Sequence, residues 1–64
     1  MHTLLHAPGD NGTAHVHYAG GWEYFTEVYS VSSSDGYLKI EQYRNKPHHK
    51  FVFIPEAVLT RIDL

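Results

Sequence analysis

The fold is decided by residues 50–64, KFVFIPEAVLTRIDL, the most apolar run of the chain. Residues 51–54 contain no polar side chain, and a continuous apolar run is typical of a strand covered on both faces. Pro55 ends this strand, and residues 56–58 are too few for more than one helical turn. Residues 59–64 then alternate between apolar and polar side chains, which favours a strand. The pattern predicts a buried strand, a single 3₁₀ turn and a last strand that returns to the core.

The chain upstream has the pattern of shorter antiparallel strands separated by turn formers. Residues 13–18 and 37–44 alternate with a period of two, as strands with one apolar face do. Residues 8–12, PGDNG, concentrate turn formers, and Asn-Gly is a strong hairpin signal. In residues 22–32 the apolar side chains change from one face to the other near 26–28, which predicts a bulge or strong bend.

In that long segment, two sets of side chains are expected on opposite faces. Trp22, Tyr24 and Val28 are expected on one face. Phe25, Tyr29 and Val31 are expected on the other.

Together these segments predict an all-β domain spanning residues 1–64, a five- or six-stranded antiparallel barrel or strongly curved sheet. The C-terminal segment has a strand that ends at Ile54-Pro55, a single turn and a last strand. This order of elements resembles the end of SH3-like barrels, over about ten residues. The acidic and aromatic signature near the start of signalling SH3 domains is missing, so the resemblance implies architecture only. The side chains expected in the core are Leu38, Ile40, Phe51, Phe53, Ile54, Ile62 and Leu64.

The composition and length of the chain argue against some classes of function and favour others. Five Lys and Arg against seven Asp and Glu give a net charge of -2, which argues against a duplex-DNA binder. No apolar run reaches the length of a membrane span, and the absence of cysteine fits a cytoplasmic protein. A chain of 64 residues has a small core. Self-association is therefore expected, with surplus aromatic side chains at an interface or ligand cleft.

Two histidines form the first candidate site. His15 and His17 project from the same strand face, about 7 Å apart by strand geometry, and a His-x-His pair can bind Zn²⁺ through neutral imidazole nitrogens. His6, His48 or His49 are candidates to complete the site. The alternative is that these histidines are solvated surface residues with no metal, and no cofactor is required by the sequence.

The second candidate site is the basic loop at residues 44–50. Its cations are able to hold a phosphate or carboxylate, and nearby tyrosines are able to stack on a base. The alternative is a solvated loop whose charges and proline protect a sheet edge. The residues of this candidate ligand site are Arg44, Lys46, His48, His49 and Lys50, with Tyr37 and Tyr43.

These observations favour a non-enzymatic binding module that self-associates and holds a small anionic, nucleotide-like ligand or a protein partner. No nucleophile elbow, phosphate loop or paired-carboxylate motif is present to indicate an enzyme. Two alternatives remain at this point. One is a His-ligated metal protein, including a metal-dependent enzyme with its site between subunits. The other binds single-stranded nucleic acid on an aromatic face.

Overall fold

β-Branched and aromatic residues, which favour strands, recur along the chain, and in a computed structural model the chain forms six strands with one 3₁₀ turn. The structure describes residues 2–9 and 11–64. The elements are β1 His2–His6, β2 Gly12–Tyr18, β3 Gly21–Ser34, β4 Tyr37–Gln42, β5 Lys50–Pro55, the 3₁₀ turn Glu56–Val58 and β6 Leu59–Asp63. The predictions of an all-β chain and of a single 3₁₀ turn before the last strand are confirmed.

All strand pairs are antiparallel, and the order in the sheet is β5-β4-β3-β2-β6. β1 lies off this path and pairs with the C-terminal half of β3. The sheet does not close, because β5 and β6 stand at opposite ends of the strand order. The closed barrel is therefore not formed, and the SH3-like architecture is not confirmed.

The predicted hairpin at Asn11-Gly12 is wrong, since β1 and β2 both pair with β3. Gly12 begins β2 as a buried residue, and a Cβ atom there would lie 2.5 Å from the carbonyl oxygen of Val28. The glycine is thus required for close packing of two strands and of the side chain of Pro8. A close approach, and not a tight turn, explains this residue.

β3 carries the predicted bend. Its register with β2 shifts between the pairs Gly12↔Val28 and Ala14↔Phe25, and Glu27 has a positive φ of 53°. The bulge was predicted at this place, but the expected face of Val28 was wrong. The extra residues turn the chain so that Phe25, Val28 and Val31 all point into the core.

The core lies on the inner face of the bent sheet. Its buried members are Ala14, Val16, Phe25, Val28, Val31, Leu38, Ile40 and Ile54. The predictions for Leu38, Ile40 and Ile54 are confirmed, and Ile62 is partly buried.

Three other core predictions are wrong. Phe51, Phe53 and Leu64 are 44%, 60% and 50% exposed. β5 is the end strand of the sheet, and the two phenylalanines point to its outer face, opposite Glu41 and Lys39. A strand is buried on both faces only when a second layer covers the sheet. In a single chain, the described residues cover the inner face of β5 and leave its outer face exposed.

Within the described residues, no helix has the length and apolar character needed to cross a membrane.

Candidate functional site

The outer face of β2 gathers one group of side chains from three strands. His15 and His17 point to this face at alternate positions of β2, away from the buried Ala14 and Val16. Directly opposite residues of an antiparallel pair share a face. The residues opposite the two histidines on β3 and β6 are Tyr24, Trp22, Asp63 and Arg61. These six residues are named the histidine cluster.

Ring contacts hold the middle of the histidine cluster together. The rings of His15 and His17 lie 4.3 Å apart between centroids. Trp22 and Tyr24 meet the His15 ring edge-on, at 5.1 Å and 5.8 Å. These are the separations of favourable aromatic pairs, so the two strands fix the orientation of His15 while its neighbours Trp22 and Tyr24 stay largely exposed.

One polar triangle closes the cluster at β6. His17 Nε2 lies 3.2 Å from Asp63 Oδ2, and Arg61 Nη2 lies 3.2 Å from both of these atoms. A neutral imidazole nitrogen either donates or accepts. His17 Nε2 therefore donates to Asp63 or accepts from Arg61, and the histidine is held between a carboxylate and a guanidinium.

His15, His17 and Asp63 are the one group of potential metal ligands found in the described part of the chain. Their ligand atoms all lie within 4.8 Å of one another. The expected third histidine is thus replaced by Asp63, and His6, His48 and His49 do not join the group. The alternating pattern of residues 59–64 predicts a strand that contains Asp63 but does not place this residue beside His17. The pairing of β2 with β6 joins residues 46 positions apart, and the two strands carry no short-range signal for it.

The basic loop after β4 is the second candidate site, and its backbone is bent by positive φ values at Tyr43 and Asn45, 58° and 66°. Carboxylates from β3 and β4 meet two of its side chains. Lys46 Nζ lies 2.7 Å from Glu27, and His49 Nε2 lies 2.8 Å from Glu41. The loop is therefore tied to the sheet by its own ion pairs.

Aromatic rings meet the remaining members of the basic loop. The Arg44 guanidinium lies 4.2 Å above the centre of the Tyr29 ring, and its Nη1 atom is 3.9 Å from Oε1 of Glu41. The ammonium group of Lys50 is 5.9 Å from the Tyr43 ring. The same tyrosine also packs against His48, with 4.2 Å between ring centroids.

Tyr37, the last residue of the predicted ligand site, lies apart from the basic loop. It begins β4 opposite Pro55, whereas the loop leaves the other end of that strand. Six residues of strand separate Tyr37 from Tyr43, about 20 Å. The structure therefore brings Tyr43 to the loop but not Tyr37.

A third surface lies on the outer face of β4 and β5 and is named the phenylalanine edge: Tyr37, Lys39, Phe51 and Phe53. Each of its three aromatic side chains is 44% or more exposed. Lys39 Nζ lies 4.7 Å above the Phe51 ring. The sequence predicts surplus aromatic side chains at an interface or ligand cleft. The exposed phenylalanines of β5 were assigned to the core, because composition alone does not identify an uncovered face.

No pocket is enclosed by the described residues. In comparisons with known proteins, no family model, curated protein or solved structure matches the chain.

Proposed function

We propose that the protein is a non-enzymatic binding module whose first partner is a second copy of itself, joined through the phenylalanine edge. The observation that carries this proposal is the 60% exposure of Phe53 on a strand with one free side. A cytoplasmic setting belongs to the proposal, since the chain contains no cysteine.

β5 has the chemistry of a strand that pairs with another chain. An end strand presents unpaired N–H and C=O groups, and soluble proteins normally protect such edges with charge, proline or a bulge. Lys50 and Pro55 stand at the two ends of β5, but all four residues between them are apolar. The middle of the edge therefore lacks the usual protection, and pairing would remove both exposed apolar surface and unpaired backbone groups from water.

A two-fold arrangement suits the sequence of β5. Antiparallel pairing centred on Val52 would place Phe51 of one copy opposite Phe53 of the other, twice. Aromatic cross-strand pairs are among the stabilising ones, at about 0.2–1 kcal/mol each. A centre on Phe53 would instead place Phe51 opposite Pro55, which donates no backbone hydrogen bond. The register centred on Val52 is therefore the one proposed, and it is isologous, as most homodimer interfaces are.

Analytical ultracentrifugation at micromolar concentration tests this proposal. The intact protein should sediment with a mass above the 7.3 kDa of one chain, and its melting temperature should fall on dilution. Phe53→Thr, which keeps a β-forming side chain, should give a monomer. Trp22→Thr is the matched control, because it removes a similarly exposed aromatic from a different surface. A monomeric intact protein, or association that survives Phe53→Thr and is lost with Trp22→Thr, would overturn the proposal.

A second candidate function is the binding of a small anion at the basic loop, of the phosphate or nucleotide type. The specific observation in its favour is that Arg44 and Lys50 lie against aromatic rings, and that Arg44 is no closer than 3.9 Å to the carboxylate of Glu41. A guanidinium stacked on a ring keeps its N–H donors in its plane for an anion. The competing groups are Glu27 and Glu41, which an incoming anion would approach closely.

Calorimetric titration with inorganic phosphate and with a nucleotide tests anion binding separately from self-association. Binding should be lost in the Arg44→Ala, Lys50→Ala double variant, and Glu41→Gln should strengthen it by removing a competing charge. Phe53→Thr serves as the control with an intact loop. Equal binding by the intact protein and the double variant would place the anion elsewhere.

A further inference from the structure

The histidine cluster is independent of the phenylalanine edge and of the basic loop, and its chemistry is that of a metal site. Two imidazoles and one carboxylate are one of the ligand sets found in zinc sites with three protein ligands. In a tetrahedral zinc site, metal–ligand distances of about 2.0–2.2 Å separate neighbouring ligand atoms by about 3.4 Å. His17 Nε2 and Asp63 Oδ2 already lie 3.2 Å apart. The remaining ligand separations, within 4.8 Å, need only side-chain movement to close.

We propose that His15, His17 and Asp63 bind a borderline transition-metal ion of the Zn²⁺ class, and that Arg61 is the internal cation which the metal replaces. Arg61 Nη2 lies 3.2 Å from two of the three ligands, on His17 and Asp63. A positive nitrogen thus sits against the pair of atoms that would hold the ion. Arg61 is exposed at the end of the sheet, so it can leave without opening the core.

An independent observation at His15 supports the site. Its Nε2 atom is buried and has no hydrogen-bond partner among the described residues. Buried polar atoms without partners are uncommon and destabilising. The ring is held by Trp22, Tyr24 and His17, none of which supplies a hydrogen bond to it. The His15 imidazole is therefore oriented by packing, and its Nε2 atom has no hydrogen-bond partner among the described residues that a metal ion would have to displace.

The set of three ligands also explains why the site lies on a surface. Structural zinc sites use four protein ligands, whereas sites with three keep one position for water or an exchangeable ligand. Here Asp63 is exposed, and so are the rings of Trp22 and Tyr24 beside His15. The site is thus suited to a metal that meets a further ligand from solution.

Titration of the protein with Zn²⁺ and with Co²⁺, without a histidine tag, tests the proposal. Calorimetry should give one Zn²⁺ per chain. Co²⁺, which is paramagnetic, should quench the fluorescence of Trp22, the single tryptophan, because its ring lies 5.1 Å from that of His15. Excess Zn²⁺ should reverse the quenching by displacing Co²⁺.

Variants with opposite expected effects separate metal binding from a merely structural role. His17→Ala and Asp63→Asn should each weaken Zn²⁺ binding at least tenfold, as loss of a ligand does. Arg61→Gln should tighten binding about thirtyfold, the factor for removing a unit positive charge about 4 Å from a divalent ion in water. A side chain that only stabilised the cluster would not give a gain of affinity when removed. Circular dichroism checks that each variant is folded.

The matched control is the His48→Ala, His49→Ala double variant, which removes another surface pair of histidines. It should bind Zn²⁺ as the intact protein does. The proposal is overturned if the intact protein binds no Zn²⁺ at micromolar concentration, or if the control loses binding while His17→Ala keeps it. It is also overturned if Arg61→Gln weakens binding in a folded protein.

Discussion

β4 and β5 are neighbours in the sheet with different sequence patterns, and in both strands the more buried residues alternate with more exposed ones. β4, YLKIEQ, alternates apolar and polar residues, and Leu38 and Ile40 are fully buried. β5 has no polar residue between Lys50 and Pro55, yet Ile54 is buried and Phe53 is 60% exposed. The pleat of the sheet therefore decides which positions are buried, whatever their composition.

The difference between these strands lies on their outer faces. β4 presents Lys39 and Glu41 to this side, and β5 presents Phe51 and Phe53 directly opposite them. β4 has strand neighbours on both sides, whereas β5 has only one. The proposed self-association is based on this apolar outer face on a strand that has a neighbour on one side only.

The largest expected effect is on the inner face. Leu38→Ala should lower the free energy of unfolding by about 2–5 kcal/mol, because it leaves a cavity in a core with few members. Urea unfolding followed by circular dichroism measures it. Truncation of Leu38 with little change in stability would mean that burial in β4 and β5 is not set by the pleat.

Gly12→Ala should cost about 1–3 kcal/mol, the usual cost of overpacking. The added methyl group would collide with Pro8 and the carbonyl of Val28. Gly21→Ala, at the first residue of β3, is the control, since nothing lies within 4 Å of a Cβ there. Equal costs for the two substitutions would show that β1 and β2 do not approach β3 as described.

Phe53→Thr should change the free energy of unfolding of the single chain by only about 0.5 kcal/mol, as exposed substitutions do. The measurement is urea unfolding at a concentration low enough for a monomer. A loss comparable to that of Leu38→Ala would contradict the exposure of the outer face of β5.

The smallest expected effect concerns Tyr18, a partly buried residue of β2 on the inner face. Burial raises the pKa of the Tyr18 phenol, and the hydrogen bond that it donates to Glu23, at 3.0 Å, raises it further together with the charge of that carboxylate. A raised pKa in the folded state means stability that is present below the ordinary value near 10 and is lost as pH rises through the folded value. Tyr18→Phe should therefore lose less stability than the intact protein above about pH 10.

Unfolding in urea at neutral and alkaline pH measures the effect of Tyr18. Glu23→Gln is the partial control, because it keeps the burial of the phenol and removes the nearby negative charge. Its alkaline loss of stability should lie between those of the intact protein and Tyr18→Phe. Identical alkaline profiles for all three proteins would contradict the contribution of this contact.

Much of the local structure could be predicted from residue patterns. The all-β class, the 3₁₀ turn after Pro55, the bulge near Glu27 and the outward direction of His15 and His17 all follow from neighbouring residues. Such features depend on periodicity, on backbone preferences and on turn chemistry, each of which acts over a few residues. The basic loop was located for the same reason, although its ion pairs with Glu27 and Glu41 were not.

The partners of each strand were decided only by the tertiary structure. No local pattern states that β2 pairs with β6, so Asp63 and Arg61 could not be placed beside His17 from the sequence. The burial of Phe51 and Phe53 was mispredicted because it depends on whether a second layer covers β5. The role of Gly12 was mispredicted because the close contact that requires a glycine there is made by Val28, on another strand. The sequence by itself determined which segments form strands and which way alternate side chains point. Contacts between residues far apart in the chain depend on the order in which the strands pair, and only the tertiary structure decided that order.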